Sequence, residues 1–388
     1  MFISNFSNVL SMERKKLYII IAGIVIIAIA LLLINSYFTG YAVNENKIKI
    51  GIMTPTTGNL AYLGENVVRS AELSVKDLGY SDRVELIVED SGQLGAQNSI
   101  NSYRKLVDVD KVQIIIDGMT SDGTMAVAPL LENDKVVMIT PLTGGENIDN
   151  ASEYLFRNGP SDIIAGTKPA KDIYEKFGYK KVALLTDNAE YTLDISKHFR
   201  KTFKGEIVSD QIIIPDLTDY RTEVAKLIEK NPDAIVINTA SGTSAAYLIK
   251  ELYEAGNKKP IYANFLAYNE NTLSIAGNAT NGVYIYDPEF DENSVETQNF
   301  FAKYKETYGI SPTIPFHTTG THDAIKMSVE AVDNVGYSGH GQAIRYYLLN
   351  NIKNWKGMNG LVSFDANGNT QTGFVLKQVR DGKLVLVE

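Results

Sequence analysis

From Lys47 onward, short apolar runs alternate with segments of helical periodicity, and the whole alternation occurs twice. Residues 48–53 form an apolar run closed by Thr54-Pro55 and the turn Thr57-Gly58-Asn59. Val67, Val68, Ala71, Val75 and Leu78 follow at helical spacing and stop at Gly79. Val84, Leu86 and Val88 alternate as a strand does, and Ala96, Ile100, Tyr103 and Val107 return to helical intervals. Residues 112–116 are apolar apart from Gln113, the pattern of a parallel strand covered on both faces. A helix over 124–132 and a strand over 136–140 complete four β-α units, which predict a doubly wound parallel sheet.

The pattern then restarts. Helices predicted over 163–177, 192–203, 220–229 and 245–255 separate strands over 182–185, 207–214, 234–237 and 261–263, and this second set needs its own sheet. Further helices are expected over 294–308, 323–335 and 342–349. The tail reads as antiparallel strands over 360–368, 374–379 and 384–387, joined by the turns Ala366-Asn-Gly and Arg380-Asp-Gly.

Ahead of this body, residues 17–34 carry no charge. At 1.5 Å per residue they span a hydrocarbon core about 27–30 Å thick. Arg14, Lys15 and Lys16 precede the run, which predicts a cytoplasmic N-terminus over 1–16, an uncleaved membrane anchor over 17–38 and a linker over 39–46. A cleaved signal peptide is the alternative, but the run exceeds the usual core of about 7–15 residues and Tyr41-Ala42 makes a mediocre cleavage site. The net charge of −9 argues against a nucleic-acid partner. With no cysteine, disulfides, thiolate metal sites and a lipid-modified cysteine are all excluded. There are 22 tyrosines against one tryptophan, and tyrosine rings supply stacking area with a polar tip that suits a binding cleft.

Catalytic patterns are missing: the sequence holds no GxxxxGK[ST], GxSxG or HExxH. His198, His317, His322 and His340 are scattered, with no two at the i, i+4 spacing of a helical metal pair. His322-Asp323 reads as a capping aspartate beside a surface histidine, and Gly339-His-Gly341 lacks the preceding strand of a dinucleotide site. No enzyme activity, cofactor or metal is therefore expected. Two loops look built to bind instead. Residues 117–123 follow the third strand and open a helix, and residues 140–145 follow the fourth. Their glycines and hydroxyls let backbone amides approach an anion, so together they predict a carboxylate-sized site.

These residues, with Ile48-Lys-Ile-Gly-Ile, Thr57-Gly58, Lys105-Leu106-Val107 and Met138-Ile-Thr-Pro141, resemble the branched-chain amino-acid binding proteins, the type I solute receptors of ATP-binding-cassette importers. Phe156-Arg157, Pro160-Ser161-Asp162, Pro232-Asp-Ala-Ile, Ala276-Gly277, Gly282-Val283 and Phe364-Asp…Gly368 extend the likeness over most of 47–388. The resemblance implies an α/β fold of two doubly wound lobes joined by three crossovers near Ser161, Asp287 and Trp355. One lobe would take 47–162 and 288–355, the other 163–287 and 356–388, and the lobes would close on a ligand between them.

Carried over position by position, the family's ligand contacts fall on Thr120 and Ser121 after the third strand, and on residues 142–144 after the fourth. In that second loop Leu142 and Thr143 are candidates, while Gly144 fills the family's threonine slot. Tyr191 fits the second-lobe tyrosine. The remaining slots depart from the pattern. Leu63 holds the first aromatic slot with Tyr62 beside it, Ser241 follows the 235–238 segment, and Phe265 stands where an acid would grip an ammonium. Glu270, five residues on, substitutes only if its loop is rearranged. An uncompensated ammonium is costly to bury, so the ligand's far end is expected to be apolar. With the predicted anchor, the resemblance implies a monomeric receptor outside the cell that hands a small amino-acid-like or carboxylate-bearing ligand to permease subunits. A ligand sensor working through a separate partner is one alternative reading, and an extracellular enzyme of similar fold is another.

Overall fold

A computed structural model describes residues 47–58, 60–92, 96–337 and 341–387. The apolar run at 17–34 and His340 lie outside them, and among the described residues no helix is long and apolar enough to cross a membrane.

Residues 48–388 form one compact unit built on two sheets. The first sheet begins with β1 (Ile48–Thr54), α1 (Ala61–Asp77), β2 (Val84–Asp90), α2 (Ala96–Arg104) and β3 (Ile114–Asp117). It ends with α3 (Ser121–Asp134), β4 (Val137–Thr140) and β5 (Leu155–Arg157). Its strands are all parallel, in the order β2-β1-β3-β4-β5. Every residue of β3 and β4 is buried, as expected of a central strand with helices on both faces.

The chain next runs through α4 (Asp162–Lys171), β6 (Lys181–Asp187), α5 (Glu190–Thr202) and β7 (Glu206–Ile213). It continues as α6 (Arg221–Glu229), β8 (Ala234–Asn238), α7 (Gly242–Glu254), β9 (Ile261–Asn264), α8 (Glu270–Ala276) and β10 (Tyr284–Pro288). These strands are parallel, with β6 between β7 and β8. Helices α9 (Val295–Tyr308), α10 (Pro315–Val335) and α11 (Gly341–Asn351) lead to a small antiparallel ribbon of β11 (Trp355–Gly357) and β12 (Gly360–Val362). The last strands, β13 (Phe374–Arg380) and β14 (Lys383–Leu386), join the second sheet as a hairpin, β13 antiparallel to β10 and β14 antiparallel to β13, so that sheet is mixed.

Three expectations change. The turn at Ala366–Gly368 does not join two strands of a hairpin; it lays Asn369 beside Arg157 in a parallel bridge to β5. Val362 and Phe364 pack in the first lobe's core, so the chain enters the second sheet only at Phe374, later than Trp355. Helix α10 begins eight residues earlier than its apolar pattern shows, at Pro315. His322 and Asp323 consequently sit in mid-helix and are both buried. The Asp323 carboxylate caps no helix. It accepts the Met358 and Asn359 amides at 2.9 Å each and docks the β11–β12 ribbon.

The two lobes meet through apolar contacts as well as crossovers. Leu60, Leu63 and Ile314, from the first lobe's loops and helices, are buried within the second lobe's apolar cluster. Each leucine buried this way stabilises the closed arrangement by about 1.5–3 kcal/mol.

Candidate ligand-binding cleft

In each sheet the strand order reverses at one point, between β1 and β3 in the first and between β6 and β8 in the second. Loops at the carboxyl ends of such strands diverge and leave a crevice. Here the two crevices face each other. A cavity of about 90 Å³ lies between them, lined from the first lobe by Leu60, Leu63, Met119–Asp122, Leu142 and Thr143. Ala189–Tyr191, Pro215, Asp216, Ala240, Ser241, Phe265 and Leu266 line it from the second.

Thr120, Ser121, Leu142, Thr143, Tyr191, Ser241 and Phe265 are thus brought together on one cavity. Tyr62 is not part of the lining. It packs on the second lobe's core with its hydroxyl buried and without a hydrogen-bond partner. Burial, and secondarily the charge of Asp216, raise that hydroxyl's pKa.

The first-lobe wall is organised by a buried carboxylate. Asp117, the last residue of β3, accepts the Met119 amide at 2.7 Å, the Thr124 hydroxyl at 2.7 Å and the Thr143 hydroxyl at 3.4 Å. Burial pushes the Asp117 carboxyl up to about 6 against these lowering hydrogen bonds. Thr143 also stands 3.1 Å from Thr124, so one carboxylate ties together the loops after β3 and β4. Thr120 caps α3 in an extended conformation with no side-chain capping bond. First-turn amides of a helix have no partner within it, and with the Thr120 and Ser121 hydroxyls they form a donor-rich surface.

The second-lobe wall is aromatic and acidic. The Tyr191 and Phe265 rings stand edge to face, 6.4 Å apart, and the Tyr191 hydroxyl accepts from Asn264 at 3.2 Å. Phe265 also packs on His317 of α10 at 5.4 Å, where burial lowers the imidazole to about 3 and keeps it neutral. Ser241 caps α7 by accepting the Ser244 amide, and its hydroxyl donates to Asp216. Asp216 has a left-handed backbone (φ 60°), the turn conformation that a Pro-Asp pair favours. Where the lobes face each other, a hydrogen bond that protonated Glu190 donates to Asp122, together with partial burial, pushes Glu190 up to about 7.

Sequence reasoning missed these three acids, Asp122, Glu190 and Asp216. Among the described residues the cavity lining contains no lysine, arginine or histidine. The available signal was Pro215-Asp216 as a turn just past β7, the edge strand beside β6. Glu270 does not approach the cavity; it is exposed at the start of α8.

A model of the periplasmic binding protein family matches residues 47–383. The Brucella melitensis Leu/Ile/Val-binding protein homolog 7 is 23% identical over 385 residues, covering 91% of this chain and 94% of that protein. Among solved structures, the branched-chain amino acid transporter substrate binding protein of Streptococcus pneumoniae, in complex with isoleucine, superposes with a TM-score of 0.79 at 24% identity. It covers 87% of this chain and 97% of that one. An R. palustris ABC-transporter solute binding protein in complex with benzoate gives a TM-score of 0.78 at 23% identity, over 88% and 95% of the two chains. Because the matched length runs through both lobes and the cleft between them, the chain belongs to the periplasmic binding protein family, with the type I fold, and is a solute-binding protein rather than an enzyme.

Proposed function

We propose that this protein is a receptor held outside the cell by its apolar run at 17–34, which captures a compact amino-acid-like zwitterion and delivers it to permease subunits of an ATP-binding-cassette importer. The observation that carries the ligand class is the cleft's polarity. Hydroxyls and helix-opening amides line one wall together with Asp122; Glu190 and Asp216 stand on the other, and among the described residues no basic side chain lines it. A carboxylate suits the α3 N-terminus, and an ammonium suits Asp216. The Ser241 hydroxyl donates to the Asp216 carboxylate at the cavity edge. Tyr191, Phe265 and Leu63 would take an apolar side chain. Micromolar capture, about −8 kcal/mol, is within reach of such a site.

Calorimetry with isoleucine, leucine and benzoate tests the reading. A branched amino acid should bind, and Asp216→Asn should weaken it at least tenfold. Phe265 in the acid slot favours a second reading, an aromatic carboxylate without an amine. Benzoate binding that survives Asp216→Asn, with no uptake of either amino acid, would establish that one instead.

A further inference from the structure

A second cavity, of about 480 Å³, opens beside the ligand cleft and shares Ser121, Asp122, Ala189 and Glu190 with it. Three side chains converge there, Glu146 and Asp194 on the cavity lining and the buried His198 next to them. Glu146 opens the short 3-10 turn Glu146–Asn150 that follows β4, while Asp194 and His198 lie one turn apart on α5. Their nearest ligand atoms all fall within 4.8 Å of one another. The His198 Nε2 atom is 3.5 Å from Glu146 Oε2 and 3.6 Å from Asp194 Oδ1.

That nitrogen is the informative atom. His198 is 4% exposed, and its Nε2 is buried without a hydrogen-bond partner. Buried polar atoms without partners are uncommon and call for an explanation. An imidazole nitrogen aimed between two carboxylates is satisfied by a metal ion. Zinc holds nitrogen and oxygen ligands at about 2.0–2.2 Å, which sets the edges of its tetrahedron at roughly 3.3–3.6 Å. The two measured His198 separations have that length.

A cation already sits there. The Lys197 ammonium lies 2.6 Å from Glu146 Oε2 and 2.5 Å from Asp194 Oδ1, the same two oxygens that approach His198. The carboxylates are thus arranged around positive charge before any metal arrives. The Lys197 side chain is half exposed on a flexible stem and can swing into solvent. Two carboxylates and a neutral imidazole balance a divalent charge, and one nitrogen with two oxygens suits zinc better than magnesium or calcium.

We propose that Glu146, Asp194 and His198 form a zinc-binding site bridging the two lobes beside the cleft, with the Lys197 ammonium as its displaceable stand-in. Glu146 belongs to the first lobe and the other two ligands to the second, so only the closed arrangement assembles all three. Zinc therefore binds the closed form, and by linkage zinc and the cleft ligand tighten each other's binding.

Equilibrium dialysis of the metal-free full-length protein, in detergent micelles, against zinc chloride tests this. One zinc per chain is expected. Glu146→Gln and His198→Gln should each weaken it at least tenfold, and Lys197→Gln should tighten it by removing the competitor. The Glu146 side chain is 46% exposed, so its replacement does not threaten the fold. Absence of stoichiometric zinc would overturn the site. Zinc binding indifferent to Glu146→Gln would overturn the bridge between lobes, since the ion would then be held by one helix alone.

Discussion

At the scale of single residues, the cleft departs from its family where a neighbour has taken the space. Gly144 stands in a threonine slot. A Cβ built on it would lie 2.5 Å from Asp162 Oδ1 and 2.5 Å from the Pro160 carbonyl. The Asp162 carboxyl is buried there, and burial, followed by the charge of Asp194, raises its pKa well above the usual range. A side chain at 144 therefore meets the crossover at 160–162, which must shift to admit the family threonine. Gly144→Thr should destabilise the protein by roughly 1–3 kcal/mol through overpacking, measurable as a lower denaturation midpoint with an unchanged slope. Nothing in the local sequence links these two positions, because the clash is made by the first crossover folding back on the β4 loop.

Among elements, α10 shows how a buried polar side chain builds an architecture that periodicity does not announce. Its first two turns are Pro-Phe-His-Thr-Thr-Gly-Thr-His, which carry little apolar stripe. Their threonines are nevertheless buried and bond back to carbonyls one turn earlier, as Thr318 does to Ile314 and Thr321 to His317. Burial on both sides supports a helix start that β-branched residues alone would not favour. Asp323, in the middle, holds the ribbon through two backbone amides. Asp323→Ala should cost about 2–5 kcal/mol, because both amides lose a buried acceptor. Hydrogen exchange should then quicken at Met358 and Asn359 before it does in β1. Equal protection at those amides in the variant would refute the docking role.

For the whole molecule, buried acids on the two switch-point walls set the pH response. Asp117 and Asp187 end β3 and β6, and burial pushes both carboxyls up from 3.8 to about 6. Each binds its proton more tightly folded than unfolded. Their stabilising contribution is complete below 3.8 and is lost as pH rises through about 6. Each is worth roughly 2–3 kcal/mol across that window. Thermal unfolding should therefore occur at higher temperature at pH 5 than at pH 7.5, and Asp117→Asn should flatten that difference. The membrane assignment is tested on protein from its native host. Peptide mapping should retain residues 12–16, whereas a mature terminus near Val43 would make the receptor freely secreted.

The alternation of apolar runs with helical stripes determined the strand–helix order from 48 to 264 and the two-sheet division, since a buried parallel strand and an amphipathic helix each leave a local periodic mark. The helix-opening loops at 117–123 and 140–145 were equally legible, because small and hydroxyl residues after a strand have a direct backbone reason. What only the tertiary structure decided is charge placement. Phe265 read alone predicts an apolar far end. The folded chain brings Asp216 from the end of β7, and Asp122 and Glu190 from opposite lobes, onto the same cavity. It also brings Glu146 beside His198, from residues 52 positions apart in the chain. Those meetings depend on two lobes closing about crossovers far apart in the chain. A one-dimensional pattern records periodicity within an element, but carries no mark of which loop ends will face each other.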